Sequence, residues 1–151
     1  MDVRIDDLTD PRVHELLREH VADMLANSPF ESMHALDLSG LKIPEITFWT
    51  AWDGDELLGC GALKELDKTH GEIKSMRTAA KHLRKGVARA IPETIISTAK
   101  NRGYRRLSLE TGSTQAFKPA LTMYESFGFE YCEPFSQYKY DPFSGFMTLA
   151  L

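Results

Sequence analysis

Residues 77–89 have the sequence RTAAKHLRKGVAR, and this stretch connects a strand-like pattern to a helical one. The strand-like run covers residues 73–78, and the helical pattern opens near Gly86. The stretch holds five of the 18 Lys and Arg residues of the chain and none of its 22 Asp and Glu residues. Because amides at a helix start also point at a bound anion, the stretch predicts a phosphate site. The alternative is an ordinary helix start with solvated basic side chains.

Size, charge and composition limit the class of protein. The 151 residues, 42% of them hydrophobic, predict one globular domain over 1–151. A net charge of −4 argues against nucleic-acid binding. No apolar run approaches the ~20 residues of a membrane helix, so we expect a cytoplasmic protein with no membrane partner. The two cysteines and five histidines show no paired metal-ligand spacing, so no metal site is predicted. The sequence is compatible with a homodimer and does not decide the oligomeric state.

Hydrophobic periodicity, turn residues and capping signals predict a mixed sheet covered by helices. The predicted strands are 3–5, 46–52, 57–66, 72–78, 106–110, 129–135 and 146–151. The predicted helices are residues 11–27 with Asp10 as N-cap, a short helix in 28–36, 86–101, and about 115–127. Asp53-Gly54-Asp55 predicts a hairpin turn, and Pro92 predicts a kink or irregular first turns in its helix.

Two segments, one of them within the basic stretch, resemble a known protein family. Residues 83–88 have the sequence LRKGVA, and residues 120–129 have the sequence ALTMYESFGF. Both resemble the GCN5-related N-acetyltransferase (GNAT) superfamily, whose signature is Arg or Gln, two residues, Gly, one residue, then Gly or Ala. Leu83 stands where that family has Arg or Gln, and Phe117 stands where it often has Asn. The resemblance covers about residues 46–135. Residues 28–38, 46–49 and 107–112 are also similar to a bacterial subgroup labelled indole-3-acetate acetyltransferase.

The resemblance implies a fold and a cosubstrate. The implied fold is the GNAT acyl-CoA N-acyltransferase fold of the α/β class, with a mixed, mostly antiparallel sheet of about seven strands and helices on both faces. The implied cosubstrate is acetyl-CoA. Gly86 would let the pyrophosphate approach backbone amides, and strand amides would meet the pantetheine arm and the thioester carbonyl. The predicted cofactor-binding residues are Met76, Arg77, Thr78, Leu83, Arg84, Lys85, Gly86, Val87, Ala88 and Arg89.

Two residues are predicted to be catalytic. Glu72 matches the general-base glutamate of histone-acetyltransferase-like members, and an amine with a pKa near ~10 needs such a base because it is mostly protonated at neutral pH. The alternative for Glu72 is a solvent-facing strand carboxylate paired with Lys74. Tyr124 matches the family tyrosine that approaches the cofactor sulfur, where it would protonate the thiolate or hold it by a hydrogen bond. The alternative for Tyr124 is a core aromatic residue.

The predicted activity is an acetyl-CoA-dependent N-acetyltransferase. The acceptor would be a primary amine on a small molecule, a peptide or a protein, and transfer would be direct, in a ternary complex. Phe30, Glu31, Met33 and His34 lie in the segment that overhangs the acceptor pocket in this family, although such residues more often serve packing. Two alternatives remain: a non-catalytic acyl-CoA-binding regulatory module, and a phosphate-binding domain for another nucleotide.

Overall fold

The structure is a computed structural model that describes residues 1–29, 31, 37–79 and 86–151. Its strands are β1 (Asp2–Ile5), β2 (Ile46–Asp53), β3 (Glu56–Asp67), β4 (His70–Thr78), β5 (Arg106–Gly112), β6 (Glu130–Tyr131) and β7 (Ser144–Ala150). Its α-helices are α1 (Pro11–Asn27), α2 (Leu38–Leu41), α3 (Val87–Asn101) and α4 (Lys118–Ser126). No helix in these described ranges is long and apolar enough to span a membrane.

All seven strands belong to one sheet, in the order β1-β2-β3-β4-β5-β7-β6. Every neighbouring pair is antiparallel except β4 and β5, which run parallel. The long α3 crossover between them is the connection that a parallel pair requires. The predicted mixed, mostly antiparallel sheet is therefore confirmed.

Helices cover both faces of the sheet because side chains alternate along each strand. On β2, Phe48 and Trp52 enter one core cluster together with apolar residues of α1. Trp49 and Ala51 enter the other cluster, together with apolar residues of α3. The aromatic residues of β2 are thus packing residues of the two cores.

Several predicted helix and turn signals are confirmed in detail. The Asp10 carboxylate accepts a hydrogen bond from the Arg12 amide at 2.8 Å, which caps α1. Gly54 forms the β2–β3 turn with φ of 58°. The irregular first turns predicted at Pro92 are wrong, because α3 is one unbroken helix over its full length, whereas a kink there stays a prediction. The hydrogen bond that proline removes would have gone to the Ala88 carbonyl, and Ala88 is exposed, so water can replace it.

The C-terminal third differs from the prediction in two ways. The strand predicted at 129–135 is only Glu130–Tyr131, since Pro134 lacks the amide that a strand ladder needs. The predicted helix from about residue 115 begins with a 3₁₀ turn, Gln115–Phe117, before α4. Residues 132–143 instead form an irregular segment that lies against the sheet. The short helix predicted within 28–36 falls mostly outside the described residues.

Candidate active site

The parallel strands β4 and β5 separate partway along their length. They pair from His70 and Arg106 to Ile73 and Leu109. Beyond those four register pairs β4 stays with β3 as far as Thr78, and β5 stays with β7 as far as Gly112. We call the opening between residues 74–78 and 110–112 the cleft.

A β-bulge shapes the β4 side of the cleft. Cys60 pairs with Arg77 and Ala62 pairs with Lys74, so Ser75 and Met76 together oppose Gly61. Ser75 adopts a positive φ of 56°, which is uncommon for a residue with a side chain. A Cβ on Gly61 would lie 2.7 Å from Ile91 Cγ2 and would also overlap the Met76 sulfur. Glycine at this position is therefore needed for the bulge to pack against α3.

The direction of the backbone amides beyond the bulge follows from one hydrogen bond. The Ala79 amide donates to the Leu58 carbonyl of β3 at 2.8 Å. Because amides alternate in direction along a strand, the Arg77 amide also faces β3 and the Thr78 amide faces the cleft. The Thr78 amide is thus free to face a ligand in the cleft, whereas the Arg77 amide is not.

The side chain of Arg77 is directed away from the cleft. Its guanidinium bonds Glu19 at 2.6 Å and Asp23 at 2.5 Å, both on α1, and the side chain is only 16% exposed. The prediction that the Arg77 charge belongs to the anion-binding stretch is therefore wrong. The cause is that α1 lies over this part of β4 and supplies two carboxylates that neutralise the guanidinium.

The start of α3 supplies the remaining described part of the predicted phosphate site. Gly86 precedes the helix with φ of 81°, and Val87 and Ala88 form the first turn. The first amides of a helix lack intrahelical acceptors and attract anions. The Arg89 guanidinium lies 4.3 Å above the Phe127 ring and donates to the Ser126 hydroxyl at 2.8 Å. The predicted contacts Leu83, Arg84 and Lys85 lie outside the described residues.

Glu72 is buried in a hydrogen-bonded network on the other side of the cleft. Its residue is only 2% exposed. Its Oε2 atom accepts hydrogen bonds from the Tyr138 hydroxyl at 2.6 Å and from Lys74 Nζ at 3.3 Å. Lys74 also donates to the Tyr138 oxygen at 2.8 Å. The solvent-facing alternative for Glu72 is excluded, whereas its predicted pairing with Lys74 is present.

A second carboxylate, Glu110, lies close to this network. Glu110 follows Leu109, the last β5 residue that pairs with β4, and it stands opposite Phe146 of β7. The Phe146 ring packs 5.6 Å from the Tyr138 ring. Burial raises the pKa of Glu110 from 4.5 to about 7. Perturbed acids of this kind concentrate at functional sites.

Tyr124 lies in the core on the opposite face of the sheet. It is 4% exposed and packs edge to face on Phe129, with ring centroids 5.5 Å apart. Burial raises the pKa of its hydroxyl. Glu72 faces the α1 side, since its register partner Lys64 shares a face with Ala62 of that core cluster. The two predicted catalytic residues therefore lie on opposite faces of the sheet, and Tyr124 is a core residue, as its alternative stated.

The predicted acceptor residues are only partly described. Phe30, Met33 and His34 lie outside the described residues, and Glu31 is exposed. The end of α1 reaches the loop after β5, where the Thr114 hydroxyl donates to the Asn27 carbonyl at 3.4 Å. The α1 side of the cleft is thus bordered by the end of this helix and by residues 132–143.

Glu110 and Tyr138 are two residues of the candidate site that were not predicted from the sequence. The signal for Glu110 was present, because buried Leu107 and Leu109 alternate with Ser108 and Glu110 along β5. That alternation directs a carboxylate to the same face as Glu72. No comparable pattern pointed to Tyr138, which lies in an irregular segment.

Comparison with known proteins identifies relatives over the whole chain. A protein named uncharacterized N-acetyltransferase YsnE, from Bacillus subtilis (strain 168), is 62% identical over 151 residues, which is 100% of both chains. A protein named IAA acetyltransferase, from Azospirillum brasilense, is 38% identical over 124 residues, covering 82% of this chain and 80% of that one. The predicted similarity to the indole-3-acetate acetyltransferase subgroup is thereby confirmed.

A solved structure and a family model agree with these relatives. A GNAT family acetyltransferase from Elizabethkingia anophelis, solved with acetyl-CoA bound, superposes with a TM-score of 0.68 at 19% identity, covering 99% of this chain and 97% of that one. The family model described as acetyltransferase (GNAT) family matches residues 13–129. By its sequence, its sheet topology and its cleft, the chain belongs to the acetyltransferase (GNAT) family.

Proposed function

We propose that the protein transfers the acetyl group of acetyl-CoA directly to a primary amine, in a complex that holds both substrates. The observation that carries the proposal is the cleft between β4 and β5. On one side it has an unpaired strand edge and a helix start, which suit an amide-containing, phosphorylated cosubstrate. On the other side it has buried carboxylates, which suit proton removal from an amine. The bound acetyl-CoA of the E. anophelis protein supports this choice of cosubstrate.

The proposed cofactor contacts are mostly backbone groups. The Thr78 amide would pair with a pantetheine amide, and the Met76 and Arg77 backbone at the bulge would lie beside the thioester. The first amides of α3, at Gly86, Val87 and Ala88, would bind the pyrophosphate. The Arg89 side chain is exposed at the same helix start and would add a positive charge. Leu83, Arg84 and Lys85 complete the proposed loop.

Tyr124 is proposed to hold the departing sulfur. Its raised pKa makes it a weaker acid than the thiol, whose ordinary pKa is about 8.5. The phenol therefore keeps its proton and stabilises the developing thiolate by a hydrogen bond. Of the two roles predicted for Tyr124, we propose this one. No residue of the chain needs to carry the acetyl group.

The proposed acceptor is a cationic amine. Glu72 and Glu110 lie near each other in this part of the sheet, and Asp141 lies close enough to Glu110 to act on it electrostatically. Lys74 offsets only part of that negative charge. An ammonium group would be attracted to such a site, whereas an anionic acceptor would be repelled. The amine belongs to a small molecule, a peptide or a protein, since only the ammonium group meets these carboxylates.

A thiol-release assay with acetyl-CoA and a panel of amines tests the proposal. The panel contains polyamines, aminoglycosides, amino acids and lysine peptides, and Tyr124→Phe is the matched variant. We expect release of CoA with at least one cationic amine, and a loss in kcat of about 100-fold in Tyr124→Phe with unchanged acetyl-CoA affinity. Tight acetyl-CoA binding without turnover would instead indicate a binding module. Binding competed by ATP as well as by CoA would indicate a general nucleotide site.

A further inference from the structure

We propose that Glu110, rather than Glu72, takes the proton from the acceptor amine, and that Glu72, Lys74 and Tyr138 form a positioning network behind it. This inference rests on the proposed acetyl transfer. It assigns the proton acceptor to a residue that the sequence did not single out, and it gives Glu72 a different role from the one predicted.

The Glu72 carboxylate is already engaged. A single oxygen, Oε2, accepts both the Tyr138 hydroxyl and the Lys74 ammonium. The side chains of the Glu72–Lys74 pair are only 3% and 9% exposed. An acceptor amine that approached Oε2 would have to displace these donors and break a buried ion pair, which is costly. Glu72 is therefore poorly placed to act directly on an acceptor in the cleft.

Glu110 lies closer to the cleft than Glu72 does. Glu72 is the register partner of Ser108, within the paired part of β4 and β5. Because side chains alternate, Glu110 shares the face of Ser108 but lies two residues further along β5, where the pairing with β4 has ended. Glu110 is also only partly buried. A substrate in the cleft therefore reaches Glu110 before it reaches Glu72.

The surroundings of Glu110 suit a base that works at neutral pH. A side-chain interaction with the Ser144 hydroxyl of β7 lowers the pKa of Glu110, and Lys74 also lowers it. The Glu72 carboxylate of β4 and Asp141 of the irregular segment raise it. Tyr138, from the same segment, hydrogen-bonds Glu72 and holds Lys74 in place. Burial is the largest influence and raises the Glu110 pKa to about 7. A base with a pKa near the working pH is partly ionised and still accepts a proton readily.

The proposed step conserves atoms and charge. The acceptor enters as an ammonium ion, and Glu110 removes one proton from it. The nitrogen lone pair forms a bond to the acetyl carbon, and the carbonyl electron pair moves onto oxygen. The tetrahedral intermediate then collapses, the C–S bond breaks, and the thiolate receives the second proton of the nitrogen while Tyr124 holds the sulfur. Glu110 afterwards releases its proton to water. The products are the acetamide and CoA.

The test compares pH profiles of kcat for the wild type, Glu110→Gln and Glu72→Gln, using the panel amine that the wild type acetylates fastest. We expect wild-type kcat to rise with pH and level off above about 7. In Glu110→Gln we expect kcat to fall by about 100-fold or more and to show no rise with pH, while the affinity for acetyl-CoA stays unchanged. Glu72→Gln should keep a rise, shifted toward lower pH because a nearby negative charge is removed.

Tyr138→Phe is the matched control for the network, because its ring still packs on Phe135 and Phe146. It should keep the pH-dependent rise and lose less kcat than Glu110→Gln. Wild-type turnover together with an intact profile in Glu110→Gln would overturn the assignment and leave acetyl transfer standing. If the rise of kcat with pH disappeared only in Glu72→Gln, Glu72 would be the general base. A wild type that acetylates no panel amine would refute both proposals, and circular dichroism would identify any variant that fails to fold.

Discussion

Replacing Glu110 with Gln should change how the folding stability depends on pH. Burial raises the pKa of the folded Glu110 carboxyl from 4.5 to about 7, so the folded protein holds a proton that the unfolded chain releases between these values. Because the folded state binds more protons in this window, the free energy of unfolding falls as the pH rises through it. The shift corresponds to about 3 kcal/mol, and the partial exposure of the side chain reduces the expected effect to about 2 kcal/mol.

The measurement is urea unfolding of the wild type and of Glu110→Gln at intervals between pH 4.5 and pH 8. The stability of the variant relative to the wild type should increase with pH by about 2 kcal/mol and level off above pH 7. Contributions from titrating groups that do not interact with Glu110 are present in both proteins and cancel in the difference. Glu133→Gln removes an exposed carboxylate and is the control for the loss of one negative charge. A constant difference across the range for Glu110→Gln would refute the argument that burial perturbs this carboxyl.

Three further changes test other parts of the structure. Burial lowers the pKa of His20 to about 4, so the protein loses folding stability as the pH falls from 6.5 toward 4. In His20→Leu, the free energy of unfolding measured in urea should fall by about 2 kcal/mol less over this pH range than in the wild type. Gly61→Ala should cost about 2 kcal/mol and weaken acetyl-CoA binding measured by calorimetry, because the added methyl displaces the bulge. Gly145→Ala is the control, because a Cβ added there would have its nearest neighbours at 3.9 Å, and it should change neither stability nor acetyl-CoA binding. Equal losses in Gly61→Ala and Gly145→Ala would contradict the packing argument. Arg77→Met leaves two carboxylates of α1 without their counter-charge and should lower stability by about 1 kcal/mol in thermal unfolding, an effect that high salt should reduce.

The parts of the fold that depend on neighbouring residues could be predicted from the sequence. Asp10 and Pro11 marked the start of α1, and Gly54 marked the β2–β3 turn, because caps and tight turns are decided within a few residues. The short β6 was the exception, since a single proline outweighed a strand-like composition.

The parts of the site that depend on distant residues could not be predicted. Tyr138 reaches Glu72 across 66 residues of sequence, and Arg77 pairs with Glu19 across 58. No periodic pattern connects residues at such separations. Sequence reasoning could therefore locate Glu72 on its strand and identify the basic stretch. It could not show that the Glu72 carboxylate was already occupied, or that one of the basic charges was neutralised by a helix far back in the chain.

The short parallel pairing of β4 with β5 has a consequence for how the molecule opens. The strands β2, β3 and β4 pair with their sequence neighbours, and β5, β6 and β7 form a second group of neighbouring strands. The two groups meet in the sheet through four register pairs, with α3 connecting them. A molecule bound between β4 and β5 would contact both groups and stabilise their association. Amide hydrogen exchange in both groups should therefore slow together when acetyl-CoA binds, far beyond the residues that it touches.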